Sequence, residues 1–108
     1  MTDILGLADR LFTGAERATH ETLFAWNGEL VEVADDTAFV AAFSNVAAFG
    51  TAGGLVLADT SSWFAAPAVH AALQRWRDVR LDTAVFTHGH TDHCFGVDLY
   101  EEHSRTNG

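Results

Sequence analysis

Three histidines and one aspartate lie close together near the end of this chain. The segment from Thr87 to His93 reads Thr-His-Gly-His-Thr-Asp-His. In an extended segment, residues two apart point the same way and lie roughly 6.6 Å apart, so His88 and His90 are expected to converge on one cation. A turn after His90 would aim Asp92 and His93 at a second cation about 3.5 to 4 Å from the first. Imidazole and carboxylate groups suit zinc, and iron or manganese are alternatives.

The residues before this cluster predict where it lies in the fold. Leu81 to Thr87 are mostly apolar or β-branched and predict a short buried strand. The cluster would then follow the carboxyl end of a strand, where open α/β sheets bind their ligands. Gly89 favours a tight loop, because glycine accepts backbone angles that are closed to other residues. The alternative is a histidine-rich surface loop that binds no metal. This interpretation is weaker, because four residues of ligand type follow a predicted strand within one loop.

The same residues carry a resemblance to a known family. The segment THGHTDH resembles the HxHxDH signature of the metallo-β-lactamase superfamily of metal-dependent hydrolases. Leu55 to Thr60, LVLADT, resembles the strand that ends in Asp-Thr-Gly in that family. The resemblance extends from about Leu30 to Gly96 and is strongest to the branch that includes alkyl sulfatases. It implies an α/β fold, namely the N-terminal half of an αββα sandwich with a mixed sheet and flanking helices.

The family pattern implies a role for each residue of the cluster. His88 and His90 would bind the first zinc ion of a complete two-zinc site, and Asp92 and His93 would bind the second. Asp92 would also be the catalytic residue, because it would orient a zinc-activated hydroxide and later move its proton. Asp59 would support the metal loop from behind. The implied activity is hydrolysis of a small-molecule, ester-type substrate.

Two features depart from the family pattern. Ser61 stands where the family usually has the glycine of Asp-Thr-Gly. The family's sandwich is also much longer than 108 residues, and its remaining ligands lie downstream of the loop. The later candidates here are Glu101, Glu102 and His103, whereas a catalytic zinc needs about three protein ligands. Residues 1–108 are therefore expected to form one partial domain, truncated after the HxHxDH loop.

This shortage of ligands keeps two functions open. The first is a metal-dependent hydrolase that is completed by a missing C-terminal half or by another chain. The second is a non-catalytic remnant that binds metal weakly or acts as an association unit. Self-association is expected in either case, because half a sandwich leaves an apolar sheet face and unpaired strand edges in water.

Charge and composition narrow the partners and the compartment. The chain has a formal net charge of −9 and contains no lysine, so neither nucleic acid nor an anionic membrane surface is an expected partner. Ala38 to Ala58 is an uncharged run, but Ser44, Asn45, Thr51 and glycines interrupt it and favour short strands over a membrane span. The single cysteine, Cys94, and an acidic N-terminus without a secretory signal predict a cytoplasmic protein.

Hydrophobic periodicity predicts the elements that position the cluster. A helix is expected from a cap at Thr2 or Asp3 to Gly14, and a second helix capped by Ser61 or Ser62 and running by Pro67. Its predicted buried stripe is Val69, Ala72, Leu73 and Trp76. The predicted strands are Leu30 to Ala34, Ala38 to Phe43, Asn45 to Thr51 and Leu55 to Thr60, with a hairpin at Gly53-Gly54.

Four side chains outside the cluster could have either a chemical or a structural role. For Trp63 and Phe64 we expect packing in the core rather than lining of a substrate pocket. For Cys94 we expect packing rather than a role as metal ligand or nucleophile. For His70 we expect a surface position rather than a role as base, since no nucleophile elbow accompanies the nearby serines.

Overall fold

The computed structural model describes residues 4–19 and 28–107. The predicted cap residues Thr2 and Asp3, and also His20, lie outside the described residues. In chain order the elements are α1 (Ile4–Thr13), β1 (Leu30–Ala34), β2 (Thr37–Val40), β3 (Val46–Thr51), β4 (Gly54–Ala58), α2 (Ala66–Trp76), β5 (Leu81–Val85), α3 (Thr91–Cys94) and α4 (Val97–Asn107).

The five strands form one mixed sheet in the order β1-β2-β3-β4-β5. The first four are joined as an antiparallel meander, and β5 runs parallel to β4. Helix α2 connects β4 to β5, because parallel neighbours require a crossover rather than a hairpin. This arrangement confirms the predicted α/β fold with a mixed sheet and flanking helices.

The uncharged run from Ala38 to Ala58 contains short strands, as predicted, but the strand predicted to reach Phe43 ends at Val40. The run contains most of β2 and all of β3 and β4, and the turn between the last two lies at Ala52-Gly53. Gly54 has a φ of 133°, a conformation that explains why glycine stands at the end of this turn. In residues 4–19 and 28–107, no helix is long and apolar enough to cross a membrane.

The hydrophobic core lies between one face of the sheet and helices α2 and α4. Leu55 and Leu57 of β4 and Leu73 of α2 are completely buried, and each contributes roughly 2 kcal/mol to folding by leaving water. Tyr100 of α4 belongs to the same cluster and is only 1% exposed. The predicted stripe of α2 is confirmed, with Trp76 packed at its edge.

The opposite face of the sheet is largely apolar but incompletely covered. Thr37 and Thr83 lie on this open face together with alternate apolar residues that pair across the sheet, namely Phe39, Ala47, Phe49, Val56, Ala58 and Val85. Phe49 is 41% exposed and Val85 is 54% exposed. The other four apolar residues are partly buried. The sheet thus has one face packed by helices and one that retains contact with solvent.

Two local predictions were wrong. β5 is not a buried strand, because it is an edge strand of the sheet, and Asp82, Thr83 and Val85 are exposed. Neither serine caps α2, which begins at Ala66 with Ala65 in the cap position and no side-chain hydrogen bond. Helix α1 is confirmed, with the predicted span before Gly14, and none of its residues is buried.

Candidate metal centre

The predicted ligands lie in a bend and a short helix immediately after β5. Residues 87–89 form a bend rather than the extended segment predicted from the spacing of His88 and His90. His90 then occupies the cap position of α3, which carries Asp92 and His93. The predicted turn after His90 is therefore present as the start of a helix. Gly89 does not adopt a positive φ, and a Cβ there would meet no atom within 4 Å, so the loop does not require glycine.

The three imidazoles of the loop lie against one another. The ring centroids of His88 and His90 are 4.5 Å apart, and those of His88 and His93 are 4.2 Å apart. His88 and His90 are exposed, whereas Asp92 and His93 are partly buried. The bend thus brings the three histidine rings closer together than an extended segment would.

Asp92 and His93 place two donor atoms at the spacing of metal ligands. His93 Nε2 lies 3.4 Å from Asp92 Oδ2. Two ligand atoms about 2.0 to 2.1 Å from one tetrahedral zinc ion lie roughly 3.3 to 3.4 Å from each other. The spacing of this pair is compatible with two coordination positions of one ion, and the pairing itself stays a prediction.

Asp59 ties the loop to the end of β4. Its Oδ1 accepts a hydrogen bond of 2.8 Å from the backbone N–H of Thr87, and the Thr87 hydroxyl donates to Oδ2 at 2.9 Å. Asp59 Oδ2 also lies 2.8 Å from Nδ1 of His93. A proton on Nδ1 that is shared with this carboxylate leaves Nε2 free to bind a metal. These contacts place Asp59 behind the loop, as predicted.

Backbone contacts fix the same junction. The N–H of Asp59 donates to the carbonyl of Val85, and the N–H of Thr60 donates to the carbonyl of His93, both at 2.8 Å. Gly96 follows α3 and packs so closely on Thr60 that a Cβ would overlap the Thr60 carbonyl oxygen. Asp59 itself has a φ of 65°, which aspartate tolerates better than most residues. The strained strand end and the glycine together let α3 approach β4.

The local environment keeps both carboxylates ionised. Burial raises the pKa of Asp59, but hydrogen bonds from Thr87 and His93 outweigh it, and the net pKa lies below its usual value. The Ser44 hydrogen bond is the main reason that the pKa of Asp92 is also lowered. Both groups are therefore negatively charged at neutral pH.

Ser44 and Thr87 are site residues whose roles the sequence did not predict. Ser44 lies in the connection between β2 and β3, and its hydroxyl donates to Asp92 Oδ2 at 2.5 Å. The signal in the sequence was the polar pair Ser44-Asn45 inside an otherwise apolar run, which we interpreted only as an interruption of a membrane span. Thr87 belongs to the quoted motif, but its bond to Asp59 depends on the fold.

An exposed aromatic group lies next to the site. The rings of Phe43 and Phe64 are 5.2 Å apart, and those of Trp63 and Phe64 are 6.2 Å apart. Phe43 is adjacent to Ser44 in the chain. The prediction of core packing for Trp63 and Phe64 was wrong, since Trp63 is 71% exposed and Phe64 is 54% exposed. They lie in the segment between β4 and α2, where no strand or helix of the described residues buries them.

The other two histidines in the described part of the chain, His70 and His103, lie away from the loop. His70 is not the surface residue that we predicted: it packs edge-on against Tyr100 at 4.8 Å, and its Nε2 is buried without a hydrogen-bond partner. His103 contacts Asp78 at 3.2 Å. A cleft of about 560 Å³ there is lined by the β3–β4 turn, Asp78, Arg80 and His103, at the opposite end of β4 from the metal loop. Cys94 is partly buried, and its thiol approaches the carbonyl of His88.

The residue types at the loop fit a zinc ion, but they do not yet form a complete site. Within the described residues, no group of three or more His, Cys, Asp or Glu side chains is arranged to hold a metal ion. The structure supplies the Asp92–His93 pair at ligand spacing and the adjacent rings of His88 and His90. Further donors or rotation of these side chains would be needed to surround an ion.

Comparison with protein families identifies the chain. The profile of the Metallo-beta-lactamase superfamily matches residues 40–107, which is more than half of the 108 residues. The matched range begins in β2 and includes the metal loop and α4. No individual curated protein matches the chain. The family match, together with the mixed sheet, shows that the chain belongs to the metallo-beta-lactamase superfamily.

Proposed function

We propose that this protein is a metal-dependent hydrolase that uses a zinc-activated water. The observation that carries the proposal is the pair formed by Asp92 and His93. Their donor atoms lie 3.4 Å apart, and the buried carboxylate of Asp59 holds the far side of the His93 ring. A buried, charged partner behind a histidine is the usual arrangement around a metal ligand.

Each of the four loop residues has a distinct part in this proposal. His88 and His90 would hold one ion, and Asp92 and His93 a second one, as the family pattern implies. Iron or manganese would suit the same donors. The remaining coordination positions would be taken by water and by donors outside this loop. When bound, a zinc ion would lower the pKa of its water to about 7 and would itself polarise the bond to be cleaved.

The chain's own groups orient the reaction. Asp92 is ionised because Ser44 donates to it, so it can accept a proton from a water molecule and pass it to a leaving group. Asp59 keeps His93 in the tautomer that offers Nε2, and Thr87 fixes Asp59 in turn. These contacts tie α3, which carries Asp92, to the β2–β3 connection through Ser44 and to the end of β4 through Asp59.

The surroundings of the loop favour a small ester-type substrate. Trp63, Phe64 and Phe43 provide an exposed apolar surface beside the site, which suits the non-reacting part of an organic ester. The net charge of −9 disfavours nucleic acid and anionic membranes as partners. A reducing, cytoplasmic compartment suits the single cysteine. The alkyl sulfatase branch remains our proposal for the nearest relatives.

A second function is supported by a separate observation. The open face of the sheet exposes Phe49 and Val85, which favours a protein that associates with another copy or with a complementary half. In that case the loop would bind metal weakly and the chain would not catalyse hydrolysis alone. Activity toward ester substrates in the presence of zinc separates the two functions.

The proposed ligands can be tested by zinc retention. We expect His88→Ala combined with His90→Ala to reduce the zinc retained after dialysis to background, because tight binding needs about three protein ligands and the variant keeps only two of the four adjacent donors in the loop. Elemental analysis of the dialysed protein gives the zinc content per chain. The control carries His20→Ala and His70→Ala, which remove two histidines outside the loop. Equal zinc content in the two double variants would show that the loop is not the metal site.

A further inference from the structure

Ser44 touches both members of the ligand pair on which the proposed function rests. Its hydroxyl lies 2.5 Å from Asp92 Oδ2 and 3.5 Å from His93 Nε2, and these two atoms are 3.4 Å apart. The three polar atoms form a small triangle at the surface of α3. Ser44 reaches this place from the connection between β2 and β3, 48 residues earlier in the chain than Asp92.

The backbone at Ser44 is held in an unusual conformation. Its φ is 66°, in the left-handed region that serine rarely adopts. Two contacts hold the neighbouring residues in place. The side chain of Asn45 accepts a hydrogen bond of 3.2 Å from the N–H of Ala42, and the carbonyl of Phe43 accepts one of 2.6 Å from the Ser61 hydroxyl. A strained residue that is fixed on both sides and points a hydroxyl at a candidate site supports a functional role.

The Asp92 carboxylate needs such a partner because it is not enclosed. Its side chain is 35% exposed, so without a partner it would rotate among several positions in water. One charge-assisted hydrogen bond from a fixed hydroxyl selects a single orientation. His93 is already fixed by Asp59, and Ser44 is the group that holds the other ligand.

We propose that Ser44 is a positioning residue that holds Asp92 Oδ2 at ligand distance from His93 Nε2. This inference rests on the proposed metal site and adds a residue to it. Ser44 acts through Asp92 and does not take part in the reaction. A purely structural role would be different: Ser44 would tie the β2–β3 connection to α3, and its loss would loosen the fold whether or not Asp92 were present.

A double-mutant cycle with cobalt separates these roles. Co²⁺ is titrated into the full chain and followed by visible absorption, for the wild type, Ser44→Gly, Asp92→Ala and the double variant. Glycine removes the hydroxyl and accepts the left-handed backbone, so the fold is expected to survive. We expect Ser44→Gly to weaken Co²⁺ binding by roughly 10- to 100-fold, as for other groups that orient a metal ligand. In the Asp92→Ala background it should have no further effect.

Asp36 offers a matched control and asparagine a rescue. Asp36 has a φ of 55°, and its side chain is also bonded, but to Arg77 rather than to a ligand. Asp36→Gly should therefore leave Co²⁺ binding unchanged. Ser44→Asn keeps a hydrogen-bond donor and tolerates the left-handed conformation, so it should restore most of the affinity that Ser44→Gly loses.

Each outcome decides between the alternatives. Unchanged Co²⁺ affinity in folded Ser44→Gly, or an equal loss in the presence and absence of Asp92, would overturn the role of Ser44 and leave the metal site standing. A wild-type chain that binds no Co²⁺ would instead overturn the proposed function together with this inference. Should Ser44→Gly fail to fold by circular dichroism, Ser44→Asn decides: wild-type affinity supports the proposal, and a 10-fold loss or more contradicts it.

Discussion

A single buried carboxylate connects the central sheet to the histidine loop. Asp59 is 6% exposed, and both of its oxygens are used, one by the backbone of Thr87 and the other by His93 and the Thr87 hydroxyl. Removal of its charge would leave the His93 ring without the partner that sets its tautomer. The position of Nε2 as a metal ligand therefore depends on this residue more than on any contact within the loop.

We expect Asp59→Asn to weaken zinc affinity by roughly 10- to 100-fold while the chain remains folded. Asparagine preserves the size of the side chain and tolerates the left-handed backbone, but it carries no charge to bind the Nδ1 proton of His93. Calorimetric titration with zinc measures the change. The control is Asp36→Asn, since Asp36 is also left-handed but lies in the β1–β2 turn and pairs with Arg77. Unchanged zinc affinity in folded Asp59→Asn would mean that Asp59 serves only the fold.

At this scale, local spacing predicts four candidate ligands, whose metal binding stays a prediction, but it does not predict all of the contacts that hold them. The dense pattern of donors at His88, His90, Asp92 and His93 marked the loop. The family resemblance implied the supporting role of Asp59. The bond from Ser44 to Asp92 could not be predicted, because it joins residues far apart in sequence and depends on the approach of α3 to the β2–β3 connection. Ser61 stands at the family's glycine position, and its φ of 68° shows why glycine suits that turn.

At the scale of elements, His70 of α2 packs against α4 in an environment that stabilises its neutral form. Burial lowers the pKa of His70, and the nearby His103 lowers it further. His70 contacts the ring of Tyr100, whose own pKa is raised by burial. Because the folded chain resists protonation of His70, the unfolded chain binds more protons at pH values between the lowered pKa and 6.5. The stability that His70 contributes is therefore fully present above pH 6.5 and is lost as pH falls.

We expect the wild type to lose stability on acidification from pH 7.5 to pH 5 by more than His70→Phe does. Phenylalanine keeps a ring against Tyr100 but cannot take up a proton, and one proton changes the free energy of unfolding by at most about 1.4 kcal/mol per pH unit. Urea denaturation at several pH values measures the difference between the two proteins. If the two proteins differ by the same free energy of unfolding at every pH in this range, His70 does not resist protonation in the folded state.

The order and type of the elements could be predicted, but the environment of each element could not. Apolar periodicity predicted the strands, and the glycines at 53 and 54 marked the turn between β3 and β4. The position of β5 at the sheet edge depends on the strand order, which no local pattern contains, so its burial was mispredicted. The start of α2 at Ala66 was missed for a similar reason, because Ser61 bonds to the distant carbonyl of Phe43 instead of capping the helix.

At the scale of the whole molecule, the two faces of the sheet differ in how well they are covered. Helices α2 and α4 bury one face, while the two paired rows of the open face around Phe49 and Val85 carry apolar side chains together with Thr37 and Thr83. The family resemblance associates this fold with a second sheet. An apolar face of this kind is stable in water when it packs against another surface, and the net charge of −9 does not oppose contact at a face that has no charges in these rows.

We therefore expect the chain to self-associate through the open face. Phe49→Glu should reduce the association, because two copies would have to bury a carboxylate on each side of the contact. Analytical ultracentrifugation over a range of protein concentrations measures the effect. Ala71→Glu is the control: it adds the same charge at an exposed position on α2 and should leave association unchanged. A wild-type chain that is monomeric at every concentration and hydrolyses esters with zinc would contradict an association role and would favour the hydrolase in its simplest form.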